Sequence, residues 1–411
     1  MCRGRCICAG GNSRGWMRLG RGGSRRLRVN CTDRWLGKWR CTWTPAPWGA
    51  ASRRAVRPER GLPVPARPRS ARPPNPHCPP SSHPPRDSIR GTHLMLEKLR
   101  PVLDYLDRHR DLVADEYSGY RLEKITGGRN NLIWRCTGEG DDLCVKFTVP
   151  GPRDRAGREF HALQLLERAR VVAPRALGLD RDTYSTPLVV QSWVEGAVLN
   201  RVPTDDGEWA QLLDHIGRVH DIGPDPSSSA IRPALLDACT QAAGLQLLDR
   251  EIASVPAASQ PADLGRLRQR LERVTPPEWD PAAPRLARMD YKPDNFIRLS
   301  QGWISVDWEN SGWTDPAFDL AQLMAHPEYL AVSQSRWDWL VAHYPGADKR
   351  FALRVRTYHR ILLVFWVARL SRSLYEIPRG GDQRLVEPRP GWQAEAEEKR
   401  RVYIELAEDR L

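Results

Sequence analysis

The chain has 411 residues and a formal net charge of +13 that is unevenly distributed. Residues 1–94 carry 20 Lys and Arg against 3 acidic residues, which leaves 43 basic and 47 acidic residues in 95–411. That remainder, with a net charge of −4, gives no electrostatic reason to expect a nucleic-acid partner. The longest apolar run, residues 361–368, is far too short to span a membrane. The nine cysteines lack the paired spacing of a zinc site. We therefore expect a soluble, cytoplasmic protein of more than one domain.

Residues 1–94 are rich in arginine and proline and show no apolar periodicity. With 19 arginines and 13 prolines, this segment cannot bury enough apolar surface to offset the entropy of ordering it. We expect a disordered tail. Three interpretations of it stay open: an upstream over-extension with the biological start at Met95, a targeting peptide, or a nucleic-acid-binding arm.

The next predicted elements are a helix and a glycine-containing hairpin. Apolar residues at helical spacing predict a helix that starts near Met95 and runs to Leu112. Strands are predicted over residues 121–125 and 132–136, separated by a turn that contains Gly127, Gly128 and Asn131. Glycine lets a backbone approach an anion closely, so the turn is a candidate phosphate loop. Hairpins without any ligand use the same glycine pair.

A third strand, residues 142–148, has a lysine, Lys146, in its middle. Such a lysine is ordinarily an edge or solvent-facing residue, and that interpretation stays open. Glu159 opens a helical run, and a surface pair with Arg155 would be enough to explain it. A further apolar strand over residues 187–194 ends the part of the chain that is rich in strands.

From residue 195 onward the apolar pattern is mainly helical. Helices are predicted at residues 209–220, 318–325, 337–343, 351–377 and 393–406, with two weaker helices between 224 and 284.

One stretch of this second part carries chemistry. Asp290 precedes Asn295 by five residues, and two short apolar segments follow, at 296–299 and 303–306, joined by a tight turn. Asp307 comes directly after the second segment. Phosphoryl transfer needs a carboxylate that accepts the acceptor's hydroxyl proton and an Asn–Asp pair that holds Mg2+ against the triphosphate. Solvated turn residues or helix caps would also account for these acids.

Three motifs in this order resemble a known family. Asp290-Tyr-Lys-Pro-Asp-Asn295, Val306-Asp-Trp-Glu309 and Asp315-Pro-Ala-Phe-Asp-Leu-Ala321 are similar to the signature of the aminoglycoside phosphotransferase/choline kinase-like family, which is related to protein kinases. The family usually has a histidine two residues before the catalytic aspartate. This chain has Arg288 there, which can also donate hydrogen bonds to hold the loop.

The resemblance implies an α+β, bilobal, protein-kinase-like fold. A small antiparallel β-sheet lobe that binds nucleotide would cover residues 95–194. A larger, mainly helical lobe that holds the catalytic loop and the acceptor would cover residues 195–411.

The resemblance also implies roles for individual residues. Asp290 would be the catalytic base, Asn295 and Asp307 would bind Mg2+, and Asp319 would be a structural acid that receives backbone N–H bonds from the catalytic loop. ATP or GTP would be bound by the glycine turn, by the lysine with its helix glutamate, and by the backbone between the lobes: Gly127, Gly128, Asn131, Lys146, Glu159, Gln191 and Trp193.

We therefore predict an ATP-dependent (or GTP-dependent) small-molecule O-phosphotransferase with an alcohol group as acceptor. Two other functions stay open: a nucleotide-binding pseudokinase with a regulatory or scaffolding role, and a nucleic-acid-binding protein, supported only by residues 1–94.

The sequence also bears on the acceptor. Residues 348–390 carry ten basic groups and four acids, and a net positive wall disfavours a polycation. Trp313, Tyr358 and Trp366 are candidates for an apolar side of the cleft. We expect a neutral or anionic hydroxyl compound to be preferred over an aminoglycoside.

Overall fold

The structure is a computed structural model with two separate units, residues 1–78 and 79–411. In the first unit the backbone is described only at β1 (Arg14–Met17), β2 (Leu27–Trp35) and β3 (Lys38–Thr42), which pair antiparallel in that order. In the second unit it is described from Arg86 to Leu411 except at 127–129, 139, 277, 301 and 382–383, with side chains from Leu94 onward. The sequence did not predict β1–β3. Most of residues 1–94 lie outside the description, so the disorder of this segment stays a prediction.

Helix α1 (Arg86–Arg108) begins earlier than the predicted start near Met95. Its described buried residues, among them Leu99, Leu103 and Leu106, lie in the part that was predicted. The apolar pattern therefore predicted the part of α1 that packs through these residues, whereas the residues before Met95 carry no apolar periodicity from which a helix could be predicted.

A six-stranded antiparallel sheet packs against α1, in the spatial order β4-β5-β6-β7-β9-β8. Its strands are β4 (Ala114–Tyr117), β5 (Tyr120–Lys124), β6 (Leu132–Gly138), β7 (Asp141–Phe147), β8 (Ala176–Asp180) and β9 (Leu188–Ser192). Helix α2 (Arg155–Arg168) connects β7 to β8 and packs on the sheet through Phe160 and its neighbours. Alternating apolar side chains on β5 and β6 form the face toward α1, as expected for a sheet that is half covered.

The larger part is mainly helical. Its helices are α3 (Asp206–His220), α4 (Gln241–Ala253), α5 (Ala262–Val274), α6 (Pro316–Met324), α7 (Gln334–His343), α8 (Lys349–Glu376) and α9 (Trp392–Arg410). Helix α8, 28 residues long, is the axis of this core, because α4, α5, α6, α7 and α9 all pack on it. Buried leucines, valines and aromatic residues spaced along α8 make that possible.

Two small antiparallel sheets carry the candidate catalytic stretch. The hairpin predicted there is present: β12 (Phe296–Leu299) pairs with β13 (Gly302–Ser305), and β10 (Ala197–Val198) joins its outer side. Gly302 has φ 127°, a conformation that requires glycine. The second sheet pairs β11 (Arg285–Ala287) with β14 (Gly312–Thr314). Together these sheets fix both ends of the loop that contains Asp290.

The architecture is the predicted α+β arrangement of a small antiparallel sheet lobe and a larger helical lobe. Each lobe has an apolar core of its own, and a third apolar cluster joins Leu166 of α2 to Trp308 of the large lobe. Leu385 and Val386, from the connection between α8 and α9, pack into the core of the small lobe. The boundary near residue 194 therefore stays a prediction. In the part of the chain that the structure describes, no helix is long and apolar enough to cross a membrane.

Candidate active site

Lys146 is the centre of the candidate site. Its side chain is only 2% exposed, and it is the penultimate residue of β7. Its Nζ donates to Glu159 Oε2 of α2 at 2.6 Å and also contacts Asp307 of the large lobe. The lysine is therefore neither an edge residue nor a solvent-facing one. Arg155, the alternative partner for Glu159, contacts Glu309 instead.

The charges around this lysine are unbalanced. Three carboxylates face it, those of Glu159, Asp307 and Glu309, the last with Oε2 at 3.7 Å from Nζ. Burial alone would lower the pKa of Lys146, but Asp307, Glu159 and Glu309 together raise it well above its usual value. Burial also raises the pKa of Glu159, against the opposing charge of Lys146. A site with surplus negative charge and little water favours the binding of a further cation.

Glu309 is a site residue to which the sequence analysis gave no role. It is 1% exposed, and its carboxylate accepts from Asn131 Nδ2 at 2.6 Å and contacts Arg155. Its described partners, which also include Lys146 and Asn130, belong to the small lobe, so Glu309 joins the two lobes beside Lys146. Its place two residues after Asp307 in the same motif was the one signal available from sequence.

Both polar atoms of the Asn131 side chain are hydrogen-bonded within the protein. Its Oδ1 accepts from the Val149 backbone N–H at 3.3 Å while its amide group donates to Glu309. Its predicted contact with nucleotide stays a prediction. Gly127 and Gly128 lie outside the described residues.

Asn295 and Asp307 meet the chemical requirements of a Mg2+ site. The Val306 N–H donates to the Asn295 carbonyl at 2.9 Å, which places the two predicted ligands side by side. Asn295 is 8% exposed, and no described residue hydrogen-bonds its side-chain nitrogen. Asp307 has φ 64°, an uncommon conformation for a residue other than glycine that tends to occur at functional sites.

No cluster of three or more His, Cys, Asp or Glu suited to a metal occurs among the residues that the structure describes. This does not count against magnesium, because Mg2+ usually keeps several waters and takes one or two protein carboxylates together with substrate phosphates. An amide and a carboxylate fit that requirement.

The loop of Asp290 is held in a strained conformation. Met289 has φ 69°, which costs roughly 1–3 kcal/mol for a side chain of this kind. Its N–H donates to Asp319 Oδ1 at 3.0 Å, and Asp319 Oδ2 accepts from the Tyr291 hydroxyl at 2.6 Å and lies 2.9 Å from His220 Nε2. Asp319 is fully buried. It is the predicted structural acid, and it receives side-chain donors in addition to the expected backbone one.

Arg288 holds the other side of the same loop. Its Nε donates to the Asp290 carbonyl, and Nη2 donates to the Val306 carbonyl at 3.0 Å, which ties the loop to the residue before Asp307. The guanidinium group lies over the rings of Phe296, at 5.0 Å, and Trp308, at 5.4 Å. The arginine therefore supports the loop where the family usually has histidine.

Asp290 itself is surrounded by positive and donor groups. Its Oδ1 accepts from the Lys292 N–H at 3.2 Å and lies 3.6 Å from His326 Nε2. Burial opposes ionisation, but His326 and Arg288 hold the pKa of Asp290 well below its usual range. The sequence analysis assigned no function to His326. This residue follows Ala325, the C-cap residue of helix α6.

The predicted hinge lies at the end of β9. The Trp193 N–H donates to the Asp142 carbonyl at 2.9 Å, so this amide is already used within the small lobe. The Trp193 side chain stacks with Arg135, whose guanidinium carbon lies 4.7 Å from the ring, and donates to Glu195. Gln191 is 5% exposed, beside Cys144. Recognition of a base at Gln191 and Trp193 stays a prediction.

A model of the phosphotransferase enzyme family matches residues 121–338 of this sequence. The match covers more than half of the chain, from β5 to α7, and includes every residue placed in the site above. The chain belongs to the phosphotransferase enzyme family. No curated protein matches it.

Solved structures show the same fold at low sequence identity. A choline/ethanolamine kinase family protein from Mesorhizobium loti is 22% identical, with 74% of this chain and 95% of that chain covered and a TM-score of 0.51. The GDP complex of aminoglycoside 2'-phosphotransferase-IIIa is 16% identical, with 75% and 99% covered and a TM-score of 0.53. A spectinomycin phosphotransferase with ADP and spectinomycin is 13% identical, with 76% and 98% covered and a TM-score of 0.51.

Proposed function

We propose that this chain is a small-molecule O-phosphotransferase that transfers the γ-phosphoryl group of ATP or GTP, with Mg2+, to a hydroxyl group. The observation that carries the proposal is the meeting of Lys146, Glu159 and Asp307, from three distant segments, in one buried cluster. Membership of the phosphotransferase family supports it. The GDP and ADP in two of the similar structures support a nucleotide as the phosphoryl donor.

In the proposed reaction the acceptor's hydroxyl oxygen bonds to the γ-phosphorus and its proton passes to Asp290. The bond between the γ-phosphorus and the β–γ bridging oxygen breaks, and the nucleoside diphosphate leaves with that electron pair. Since its pKa is held low, Asp290 is ionised at neutral pH but is a weak base. We infer that it acts chiefly by orienting the hydroxyl and accepts the proton late, as suits a loose transition state. General-base help adds about 10²–10⁴-fold in such reactions.

Lys146 would hold the phosphates of the nucleotide, with Glu159 orienting its ammonium group. Asn295 and Asp307 would hold Mg2+, which would neutralise negative charge on the phosphates of the nucleotide. Glu309 keeps Asn131 and Arg155 next to this cluster.

The acceptor proposal rests on charge. Several arginines of residues 348–390 pair with acids elsewhere: Arg354 with Asp315 at 2.8 Å and Arg356 with Asp338 at 3.6 Å. The net charge of residues 348–390 therefore overstates how strongly this segment would repel a polycationic acceptor. Tyr358 is fully buried and packs on Phe318 and Trp279, so it does not line a cleft.

A smaller positive patch supports the same conclusion. Arg369 and Arg372 both contact the carboxylate of Glu251, at 3.3 and 3.1 Å, and Arg372 also contacts Glu376 at 3.5 Å. Burial, together with the guanidinium groups of Arg369, Arg155 and Arg372, lowers the pKa of Arg153. This patch adjoins Arg155, which contacts Glu309 beside Lys146. We propose a neutral or anionic hydroxyl compound as acceptor, since a polycation would be repelled there.

The proposal also covers the cellular location, the absence of a nucleic-acid partner and the pseudokinase alternative. A cytoplasmic location and the absence of a nucleic-acid partner are supported by the cysteine pattern and by the net negative charge of residues 95–411. The pseudokinase alternative drew on Arg288 and on the weak signal of the glycine turn. The contacts of Arg288 with the Asp290 and Val306 carbonyls speak against the first ground, and the glycines of the second lie outside the described residues.

The test is a phosphoryl-transfer screen of the full chain with γ-labelled ATP and GTP. The panel contains neutral polyols and alcohols, hydroxy acids, sugar phosphates and aminoglycosides, with Lys146→Met as the inactive control. We expect labelled product from at least one neutral or anionic compound. Saturable transfer to kanamycin-like compounds at low micromolar concentration, in preference to all others, would show that the charge argument is wrong.

A further inference from the structure

His326 lies next to the candidate catalytic aspartate, Asp290. It follows Ala325, the C-cap residue of helix α6, and caps the one-turn 3-10 helix Pro327–Tyr329. The Glu328 backbone N–H donates to His326 Nδ1 at 3.2 Å. The ring also makes an edge contact with Tyr329, with centroids 5.9 Å apart and planes at 83°. Both contacts fix the orientation of the imidazole.

The capping bond determines which nitrogen carries the proton. Nδ1 uses its lone pair to accept from Glu328, so in neutral imidazole the proton must be on Nε2. Nε2 is the atom that faces Asp290, with Oδ1 at 3.6 Å. The N–H of His326 is therefore directed at the carboxylate.

The same oxygen of Asp290 also accepts from the Lys292 N–H at 3.2 Å. The Lys292 hydrogen bond and the close approach of Nε2 are both at Oδ1, which leaves Oδ2 as the oxygen to face an acceptor hydroxyl. Other charged groups near the carboxylate are Arg288, bound to the Asp290 backbone carbonyl, and Glu328, whose carboxylate pairs with Lys399 at 3.2 Å. Neither takes the place of the Nε2–H donor.

We propose that neutral His326 is a positioning residue for Asp290: its Nε2–H holds Oδ1 so that Oδ2 is presented to the acceptor hydroxyl. This inference rests on the proposed function, since it assigns Asp290 to the reacting hydroxyl.

Two substitutions in the full chain separate the capping role of His326 from the positioning role. In His326→Asn the short amide still caps the 3-10 helix but does not reach Asp290. In His326→Gln the longer amide can place an N–H near the position of Nε2, at the cost of the cap.

We expect turnover to fall about 10- to 100-fold in His326→Asn, the usual effect of removing an orienting partner, with the KM for nucleotide unchanged. His326→Gln should recover most of the loss even if its thermal stability is lower. Turnover of His326→Asn within twofold of wild type, or an equal loss in both variants, would overturn the proposal.

A spectroscopic measurement tests the contact without relying on activity. With 15N-labelled histidine, long-range 1H–15N correlation spectra of the full chain should show His326 as the Nε2–H tautomer, and Asp290→Asn should shift its Nε2 signal. An Nδ1–H tautomer, or no response to Asp290→Asn, would refute the positioning contact. If the predicted signals appear but no phosphoryl transfer is found with any acceptor, the proposed function has failed and the contact has not.

Discussion

Replacing Asp319 by alanine should unfold the catalytic loop locally and destabilise the whole protein. Asp319 is fully buried and has Met289 N, Tyr291 Oη and His220 Nε2 within 3.0 Å of its carboxylate oxygens. Alanine leaves these buried groups without a partner, at about 1–3 kcal/mol each. Since water can enter part of the vacated space, we expect a loss of about 3–6 kcal/mol, a large share of a typical total of about 5–15 kcal/mol.

The effect on turnover should exceed what the lost stability explains. Met289 keeps its left-handed conformation through the bond to Asp319, so its release moves Asp290, and a displacement of about 1 Å costs on the order of 100-fold in rate. Asp319→Asn, which keeps the shape and one acceptor oxygen, should lose less of both. Leu363→Ala, at a buried position of α8, is the matched control, because it should cost about 2–5 kcal/mol without touching the loop.

Urea unfolding followed by circular dichroism gives the free energies of unfolding, and phosphoryl-transfer rates at a temperature where every variant is folded give the turnover. The reasoning would be refuted if Asp319→Ala lost less than about 1 kcal/mol. It would also be refuted if Asp319→Ala and Leu363→Ala kept the same turnover per folded molecule.

Three further predictions follow from the site and the fold. Asp307→Ala should weaken Mg2+–nucleotide binding and turnover together, whereas Asp290→Ala should lower turnover with little change in nucleotide affinity. Calorimetric titration of both variants with nucleotide checks this prediction, and equal affinities in the two variants would contradict it. Burial lowers the pKa of His215 to about 3, so the unfolded state binds more protons between pH 6.5 and 3 and stability falls as pH decreases through that window. At pH 5 the loss should be about 2 kcal/mol relative to pH 7, and His215→Gln, which can still bond Ser305, should lack it in urea titrations. Removal of residues 1–78 should leave turnover and melting temperature unchanged, because residues 79–411 form a unit of their own; a melting temperature lower by more than about 5 °C would show otherwise.

Much of the fold follows from local apolar patterns. The apolar runs around Lys146 and Val189 predicted β7 and β9, and the turn before Trp303 predicted the hairpin, each within one or two residues of the structure. Strand β4 was missed because Ala114–Tyr117 is polar and largely exposed at the edge of the sheet, so it has no apolar alternation to detect.

Some residues of the candidate site were likewise predicted from the sequence, and others were not. Lys146, Glu159 and Asp307 were proposed from motif order, and the fold brings them together. Glu309 had only its place in the motif of Asp307 as a signal and His326 had none, because their importance lies in partners far away in sequence: Arg155 for the first and Asp290 for the second. A motif specifies residue types along the chain, whereas a contact between lobes depends on how helices and sheets pack.

The most direct test of the central claim is γ-phosphoryl transfer by the full chain to a hydroxyl compound, measured beside Asp290→Asn. The structure predicts Mg2+-dependent formation of a phosphate ester by the wild-type protein. It also predicts nucleotide binding in Asp290→Asn close to wild type with a rate lower by about 100-fold or more. Wild-type turnover in Asp290→Asn would contradict the assignment of Asp290, and nucleotide binding without transfer to any acceptor would contradict the assignment of the protein as a phosphotransferase.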